Sequence, residues 1–320
     1  MRVLVVKPSS LGDVVHALPT VNLIRKKFAD AHIAWLINSD LASLLRNCPL
    51  INERIEFHRR EHARLPALIR YLRSAHFGLV VDLQGLLRSG LMTAATRARR
   101  RIGLSDAREG ARYFYNEIVP VGRAHAVDRY LQVARHLGCE TGPIEFPLGH
   151  SERDKAHIDN LLDGRTKLIA VNPSARWKTK LWGNDKFATL VRQLPRNRVV
   201  LTGSAAEASA TDEIANGSLN LAGKTSLAQL TELYRRCSVV ITNDSGPMHV
   251  AAAVSTPVVA IFGATDPALT GPYGQQHIVL RSGILCSPCL KSRCAHTPRM
   301  ECMSLVTVEQ VLAAAKPFLV

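Results

Sequence analysis

Aromatic residues make up only 5% of the 320-residue chain, and they do not interleave with its basic clusters. That removes the stacking platforms on which single-stranded nucleic acids are held. Long apolar runs are missing too. The most apolar stretch, HVAAAVSTPVVAIFGA (249–264), is cut by Ser255, Thr256 and Pro257, so it reads as helix, turn and strand. A membrane-spanning helix needs about 20 uninterrupted apolar residues. Lys7 follows only four apolar residues, which leaves no secretory h-region and predicts a cytoplasmic protein. The common nucleotide and hydrolase motifs are also wanting. No GxGxxG follows the first strand, and HExxH and GxSxG do not occur. AGKTS (222–226) looks like the end of a P-loop, but Ser218 stands where GxxxxGK[ST] requires glycine.

Positive charge is what the chain has in excess. Its formal net charge is +15, with +9 in the first 150 residues and +6 in the rest. Such a balance predicts an anionic partner without choosing between nucleic acid, phosphorylated substrate and acidic membrane. TRARRR (96–101) places four Arg in six residues, and HRREHAR (58–64) adds three more. Three of the seven cysteines, Cys48, Cys139 and Cys237, are isolated and read as packed thiols. Cys286, Cys289, Cys294 and Cys302 crowd together with the spacing C-x2-C-x4-C-x7-C. Four soft ligands this close are consistent with a structural zinc site, or with free thiols. A cytoplasmic setting argues against disulfides.

Short β-branched runs alternate with helical segments along the whole chain, the signature of βαβ units and parallel sheets. In the first half the expected strands are 2–7, 32–38, 54–58 and 77–83. Val14, Val15, Leu18, Val21 and Ile24 mark the first helix, and 125–137 another. The periodicity fails across 138–155, where Gly, Pro and charge collect, so a linker is expected there. Strands then resume at 166–173, 198–203, 238–244 and 256–263. The expectation is two open α/β domains, 1–150 and 151–320, with ligands bound outside the C-terminal strand ends.

The conspicuous polar residues fall at those ends. NPSARWKTKLW (172–182), TGSAAE (202–207) and NDSGPMHVAAA (243–253) each follow a strand. Ser245 and Gly246 precede a helix whose free N–H groups suit a diphosphate, although an ordinary Asp/Ser cap would look the same. Three polar strand ends in one domain, with Lys180 among them, favour a nucleotide diphosphate. At the other end of the chain, KPSSLGDVVHALP (7–19) delivers Asp13 into the first turn of an apolar helix. There it either caps the helix dipole or points a carboxylate at a substrate.

Taken in order, KPSSLGDVVHALP, VDLQGLLRSG (81–90), HAVDRY (125–130), KLW, GSAAE, AGKTSLAQL and NDSGPMHVAAA with FGATDP resemble the ADP-heptose lipopolysaccharide heptosyltransferases of glycosyltransferase family nine. The similarity spans nearly the whole chain. It implies two facing Rossmann-like domains with parallel sheets (the GT-B architecture), the acceptor on the first and the ADP-sugar on the second. It implies that Asp13 is the general base of an inverting transfer and that Lys180 neutralises charge growing on the leaving ADP. Glu207 would hold ribose hydroxyls, Asp244 would lie near the sugar, and Ser245, Gly246 and His249 would surround the diphosphate. Ser174 would be a phosphate contact, although ARWKT between it and Lys180 departs from the familiar pattern. Ser10, Gly12, Arg59, Arg60 and Arg64 would meet the acceptor, a Kdo-lipid A or heptosylated inner core at the inner face of the inner membrane. HAVDRY is typical of heptosyltransferase I and the cysteine cluster of heptosyltransferase II, which blocks a subtype assignment.

The expected activity is therefore transfer of heptose from ADP-heptose to the lipopolysaccharide inner core. No catalytic cofactor or nucleic-acid partner is expected, and peripheral contact with an anionic membrane is. The alternatives are the same fold using another nucleotide sugar or glycan, and a non-catalytic binder of anionic lipid or nucleic acid. The binder would lose affinity steeply with salt and ignore ADP-sugars.

Overall fold

A computed structural model describes residues 1–319 and divides the chain into two compact units, Met1–Gly149 and the chain from His150 onward. Unit 1 holds six parallel strands: β1 (Arg2–Val6), β2 (His32–Asn38), β3 (Glu53–Phe57), β4 (Leu79–Asp82), β5 (Arg100–Leu104) and β6 (Glu117–Val119). Their order is β3-β2-β1-β4-β5-β6. Val3 to Val6 and Ile33 to Ile37 are buried on both faces. Such continuous apolar runs belong to a parallel sheet covered by helices on each side. The covering helices are α1 (Leu11–Lys27), α2 (Leu65–Ser74), α3 (Leu87–Ala95) and α4 (Ala126–His136). The apolar stripe of α1 is buried, and the helix ends on Arg25, Lys26 and Lys27, where its dipole favours positive charge.

Unit 2 repeats the plan with β7 (Leu168–Asn172), β8 (Val199–Leu201), β9 (Leu219–Asn220), β10 (Cys237–Asn243), β11 (Val258–Ile261) and β12 (Ile278–Leu280), all parallel. The order β12-β11-β10-β7-β8-β9 is the order of unit 1 read from the other side. Its first helices are α5 (Glu152–Leu162), α6 (Asn184–Gln193), α7 (Ala208–Ala215), α8 (Leu227–Tyr234) and α9 (Gly246–Ala253). Counted within each unit, both sheets run 3-2-1-4-5-6, the doubly wound Rossmann order. The winding reverses between the first and fourth strands, and ligands of such sheets bind outside the strand ends at that switch point. In this chain the switch points lie at β1/β4 and at β7/β10.

Eight strands fall where the alternation predicts them, while β5, β6, β9 and β12 escape it. RRIGL and EIV carry too few β-branched residues to announce a strand, and β9 has only two residues. The TRARRR cluster changes meaning accordingly. Arg100 and Arg101 belong to β5. The Arg100 guanidinium pairs with both carboxylate oxygens of Glu117 at 2.7 Å, and Arg101 donates to the carbonyls of Phe114 and Ala98. Only Arg97 and Arg99 stay wholly available to a partner outside the sheet. The irregular connection is also shorter than 138–155. Ser151 caps α5, accepting from the Asp154 N–H at 3.4 Å, and Glu152 and Asp154 occupy the favourable first turn. Among the described residues, no helix is long and apolar enough to cross a membrane.

Candidate active site

At the switch point of unit 1, Asp13 is the third residue of α1 and performs the capping that its position suggests. Its Oδ2 accepts from the Ser10 N–H at 3.0 Å and the Ser10 hydroxyl at 2.7 Å. Oδ1 meets only a longer contact, 3.5 Å from the Tyr130 hydroxyl on α4. The carboxylate is thus anchored through one oxygen and presented through the other. Burial, the largest single influence on it, would raise its pKa. The buried Lys7 ammonium, the two Ser10 donors and His16 outweigh that and hold it far below the ordinary carboxylate range. Lys7 in turn donates to the Leu83 carbonyl at 2.9 Å, at the end of β4.

The loop after β4 is organised by a second carboxylate. Asp82 is fully buried, and its Oδ1 accepts from the N–H groups of Gln84 (2.8 Å) and Gly85 (3.1 Å). Its Oδ2 accepts from the Tyr115 hydroxyl at 2.7 Å. Gln84, so placed, accepts from the Ser9 N–H at 3.2 Å and ties the β4 loop to the β1 loop. Gly12 is buried in the first turn of α1. Arg59 and Arg60 are exposed in the turn after β3. Arg64 is paired with Glu61 at 2.6 Å and lies 3.2 Å from the His58 ring. Phe57, His58, Glu61, Arg64, Leu65 and Arg88 line a cavity of about 110 Å³ at this sheet edge, with Arg88 stacked 5.5 Å over the Phe57 ring.

In unit 2 the elements leaving β7 and β10 bring two expected residues together. The Lys180 Nζ lies 2.6 Å from Asp244 Oδ2 and 5.1 Å above the Trp177 ring. Asp244 is almost fully buried and also accepts from the Thr265 hydroxyl, which is part of FGATDP. Ser245 occupies the N-cap position of α9 without a side-chain capping bond, its hydroxyl lying 3.3 Å from that of Thr242, and Gly246 opens the helix. His249 is buried one turn further on, and Ser174 is half-buried just past β7. Glu207 stands apart from the pair, following β8. Its Oε2 accepts from the Ser204 N–H at 2.7 Å, so it is a capping residue rather than a free surface carboxylate. Gly223 of AGKTS packs against the backbone of Ala205, where a Cβ would approach within 2.7 Å, and the segment forms a turn before α8.

Two buried asparagines that the motifs did not single out hold these loops in place. Asn243 accepts from the Trp182 N–H at 3.1 Å and donates to the Pro173 carbonyl at 2.6 Å, clamping the 173–182 loop onto β10. Asn172 donates to the carbonyl and hydroxyl of Thr202, joining the ends of β7 and β8. An asparagine as the last residue of an apolar strand was the available signal.

The zinc expectation requires correction. Among the described residues, no three His, Cys, Asp or Glu side chains are grouped to hold a metal ion. Cys286 is exposed, Cys289 and Cys294 are half-buried, and Cys302 is buried. The segment is fixed by other means. Leu290 N–H donates to the Ala264 carbonyl (2.7 Å), the Ser287 hydroxyl to the Gly263 carbonyl (2.6 Å), and Met300 N–H to Cys294 Sγ (3.4 Å). The other three thiols lie near enough to Cys302 to raise its pKa, yet no three of these side chains are grouped as a ligand set.

The chain matches the family model for glycosyltransferase family 9 (heptosyltransferase) over residues 65–299. It is 31% identical to lipopolysaccharide heptosyltransferase 1 of Pseudomonas aeruginosa, over 94% of this chain and 89% of that protein. It is 28% identical to lipopolysaccharide heptosyltransferase 3 of Escherichia coli, over 96% of this chain and 95% of that one. The solved structure of E. coli ADP-heptose lipopolysaccharide heptosyltransferase II superposes with a TM-score of 0.82 at 26% identity, covering 100% of this chain and 98% of the other. Two six-stranded parallel α/β units, a carboxylate and an ammonium at their switch points, and these similarities lead to one assignment: the chain belongs to glycosyltransferase family 9, has the GT-B class of fold, and is a glycosyltransferase.

Proposed function

We propose that the protein is a lipopolysaccharide heptosyltransferase. It moves heptose from ADP-heptose to a hydroxyl of the Kdo or heptose inner core, with inversion at the anomeric carbon. The observation that carries this reading is the Lys180–Asp244 pair, 2.6 Å apart beside the first turn of α9. An ammonium and a helix N-terminus in one place suit a leaving diphosphate. Asp244, bound to both Lys180 and Thr265, orients the ammonium and stands ready for sugar hydroxyls. Ser174, Ser245, Gly246 and His249 complete the diphosphate surroundings, with Glu207 on the ribose.

Unit 1 then activates the acceptor. Asp13 takes the proton of the acceptor hydroxyl as its oxygen bonds to the anomeric carbon. The bond from that carbon to the diphosphate breaks, and ADP departs with the electron pair. A carboxylate so firmly ionised is a weak base, so alignment of Oδ1 with the hydroxyl supplies much of the effect. Ser10, Gly12, Arg59, Arg60 and Arg64 are assigned to the acceptor's anionic groups. Their basic surroundings, with Leu65 exposed next to Arg64 and Leu87 and Leu91 exposed on α3, support peripheral contact with the anionic inner face of the inner membrane.

ADP release measured with ADP-heptose and Kdo-lipid A, beside the same assay on Asp13→Asn, tests the reading. The expected result is acceptor-dependent release that falls about 10²–10⁴-fold in the variant. Release that is unchanged in the variant removes the base assignment. No release by the wild type with either Kdo-lipid A or its heptosylated form removes the heptosyltransferase assignment.

A further inference from the structure

HAVDRY (125–130) enters the site only through its last residue, and Lys7 is a fully enclosed ammonium that the transfer does not touch. The two meet. Lys7 Nζ lies 5.0 Å from the centre of the Tyr130 ring, and the Tyr130 hydroxyl lies 3.5 Å from Asp13 Oδ1. Lys7 and Tyr130 are 3% and 4% exposed, so neither is held by solvent. We propose that Lys7 and Tyr130 are positioning residues for Asp13: Lys7 supplies the buried positive charge that keeps the carboxylate ionised, and Tyr130 couples that charge to Oδ1 and fixes where Oδ1 points. This rests on Asp13 being the base.

Three observations support the assignment. A buried ammonium is costly unless a carboxylate answers it, and the carboxylates near Lys7 are Asp13 and Asp82. Asp82 already accepts from two backbone N–H groups and from Tyr115. Asp13 is therefore the counter-charge. Secondly, the rest of HAVDRY aims Tyr130. The His125 ring accepts from the Val127 N–H at 3.2 Å and packs edge-on to His16 at 5.1 Å, while Arg129 pairs with Asp106. Helix α4 is thereby fixed against α1 at the start of the motif and against the loop after β5 near its end. Thirdly, the two Ser10 bonds hold only Oδ2, so the direction of Oδ1 is left to Tyr130.

The charged and titratable groups facing Asp13 are Lys7 from the end of β1, His16 from its own helix and Tyr130 from α4. Asp82 stands behind Lys7 at the end of β4, and Arg129 stands beside Tyr130. Removing Lys7 leaves burial opposed only by Ser10, Tyr130 and His16, so the Asp13 midpoint must rise. Because the base acts only when ionised, the acid limb of the rate profile must rise with it.

The test is a carboxyl ¹³C NMR titration of the full chain labelled at aspartate, with the Asp13 resonance identified by its loss in Asp13→Asn. It is run on wild type, Lys7→Met and Tyr130→Phe, beside pH profiles of ADP release. In Lys7→Met the Asp13 midpoint is expected about a unit or more higher, with the acid limb of kcat/KM displaced by the same amount. Tyr130→Phe is expected to lower kcat about tenfold with little change in KM for ADP-heptose. A midpoint in folded Lys7→Met that stays where it is in the wild type overturns the proposal. Should Lys7→Met fail to fold, Tyr130→Phe, which deletes one oxygen, decides alone. An unchanged midpoint together with unchanged kcat then overturns it. If Asp13→Asn keeps full activity, the base assignment fails, while the titration still reports whether Lys7 and Tyr130 hold the carboxylate.

Discussion

At the scale of single residues, part of the charge that the sequence offers as a basic patch is committed inside the fold. Glu117 shows it best. Two hydrogen bonds from Arg100 pull its pKa down to about 2 against the burial that would raise it, and His136 at 2.8 Å adds to the pull. The unfolded glutamate titrates near pH ~4.3. A depressed folded pKa means stabilisation that is complete above the unfolded value and is lost as pH falls through the folded one. The difference in thermal midpoint between wild type and Glu117→Gln should accordingly be constant from neutrality to about pH 5 and close between about pH 4 and 2. A difference that persists at pH 2 would mean that the pair does not carry charge. From the sequence, Arg100 was one of four arginines in a run that offers positive charge either to solvent or to an anionic partner. Its carboxylate partner lies 17 positions away in β6, a strand of three residues that leaves no periodic signal.

At the scale of elements, the division between what is legible and what is not follows burial. Strands that are apolar on both faces, such as β1, β2 and β10, are visible because their composition is dictated by the helices that cover them. The positions of Asp13, Ser174 and Asp244 follow once those strands are placed, since each lies just past a strand end. The loops that give these residues their direction are set by single buried polar side chains: Asp82, Asn172 and Asn243. A lone Asp or Asn at a strand end does not reveal its partner. Tyr115 illustrates the dependence. Its hydroxyl satisfies Asp82, and its ring lies against Gly103 in β5, where a Cβ would fall 2.1 Å from the ring edge. Gly103→Ala therefore cannot be accommodated without displacing Tyr115 from Asp82. Overpacking of this kind typically costs about 1–3 kcal/mol, and the Asp82 oxygen loses its donor besides. Calorimetry should show a midpoint several degrees lower. Trimming the ring in Gly103→Ala with Tyr115→Phe should recover little of it, because the clash is with ring carbons. A neutral Gly103→Ala would show that the β4 loop does not depend on Tyr115.

At the scale of the molecule, the seven thiols separate into two populations according to depth and neighbours. Cys48, Cys139 and Cys237 are buried, and burial raises all three, Cys48 to about 11 and Cys237 further. Cys48 donates to the Pro147 carbonyl and Cys237 to the Leu233 carbonyl, each at 3.3 Å. Each is a small apolar packing group. Within the 286–302 cluster, Cys302 is raised, first by burial and then by the other three thiols. Cys294 is lowered by the backbone N–H groups of Met300 and His296, with Arg299 helping. Alkylation follows the thiolate and its accessibility. Mass-resolved labelling of the native chain near pH 7.5 should therefore modify Cys294 first, with Cys286 and Cys289 next. Cys48, Cys139, Cys237 and Cys302 should resist until the chain is unfolded. Labelling of Cys237 as fast as Cys294 would contradict the packing of β10. Equal protection of all four clustered thiols, relieved by a chelator, would mean that they converge on a metal after all. The contrast matters for function because Cys237 begins β10, the strand that ends at Asn243 and delivers Asp244 to Lys180. A chain that loses activity on alkylation while only Cys294, Cys286 and Cys289 are modified would place the exposed loop, and not β10, in communication with the donor residues.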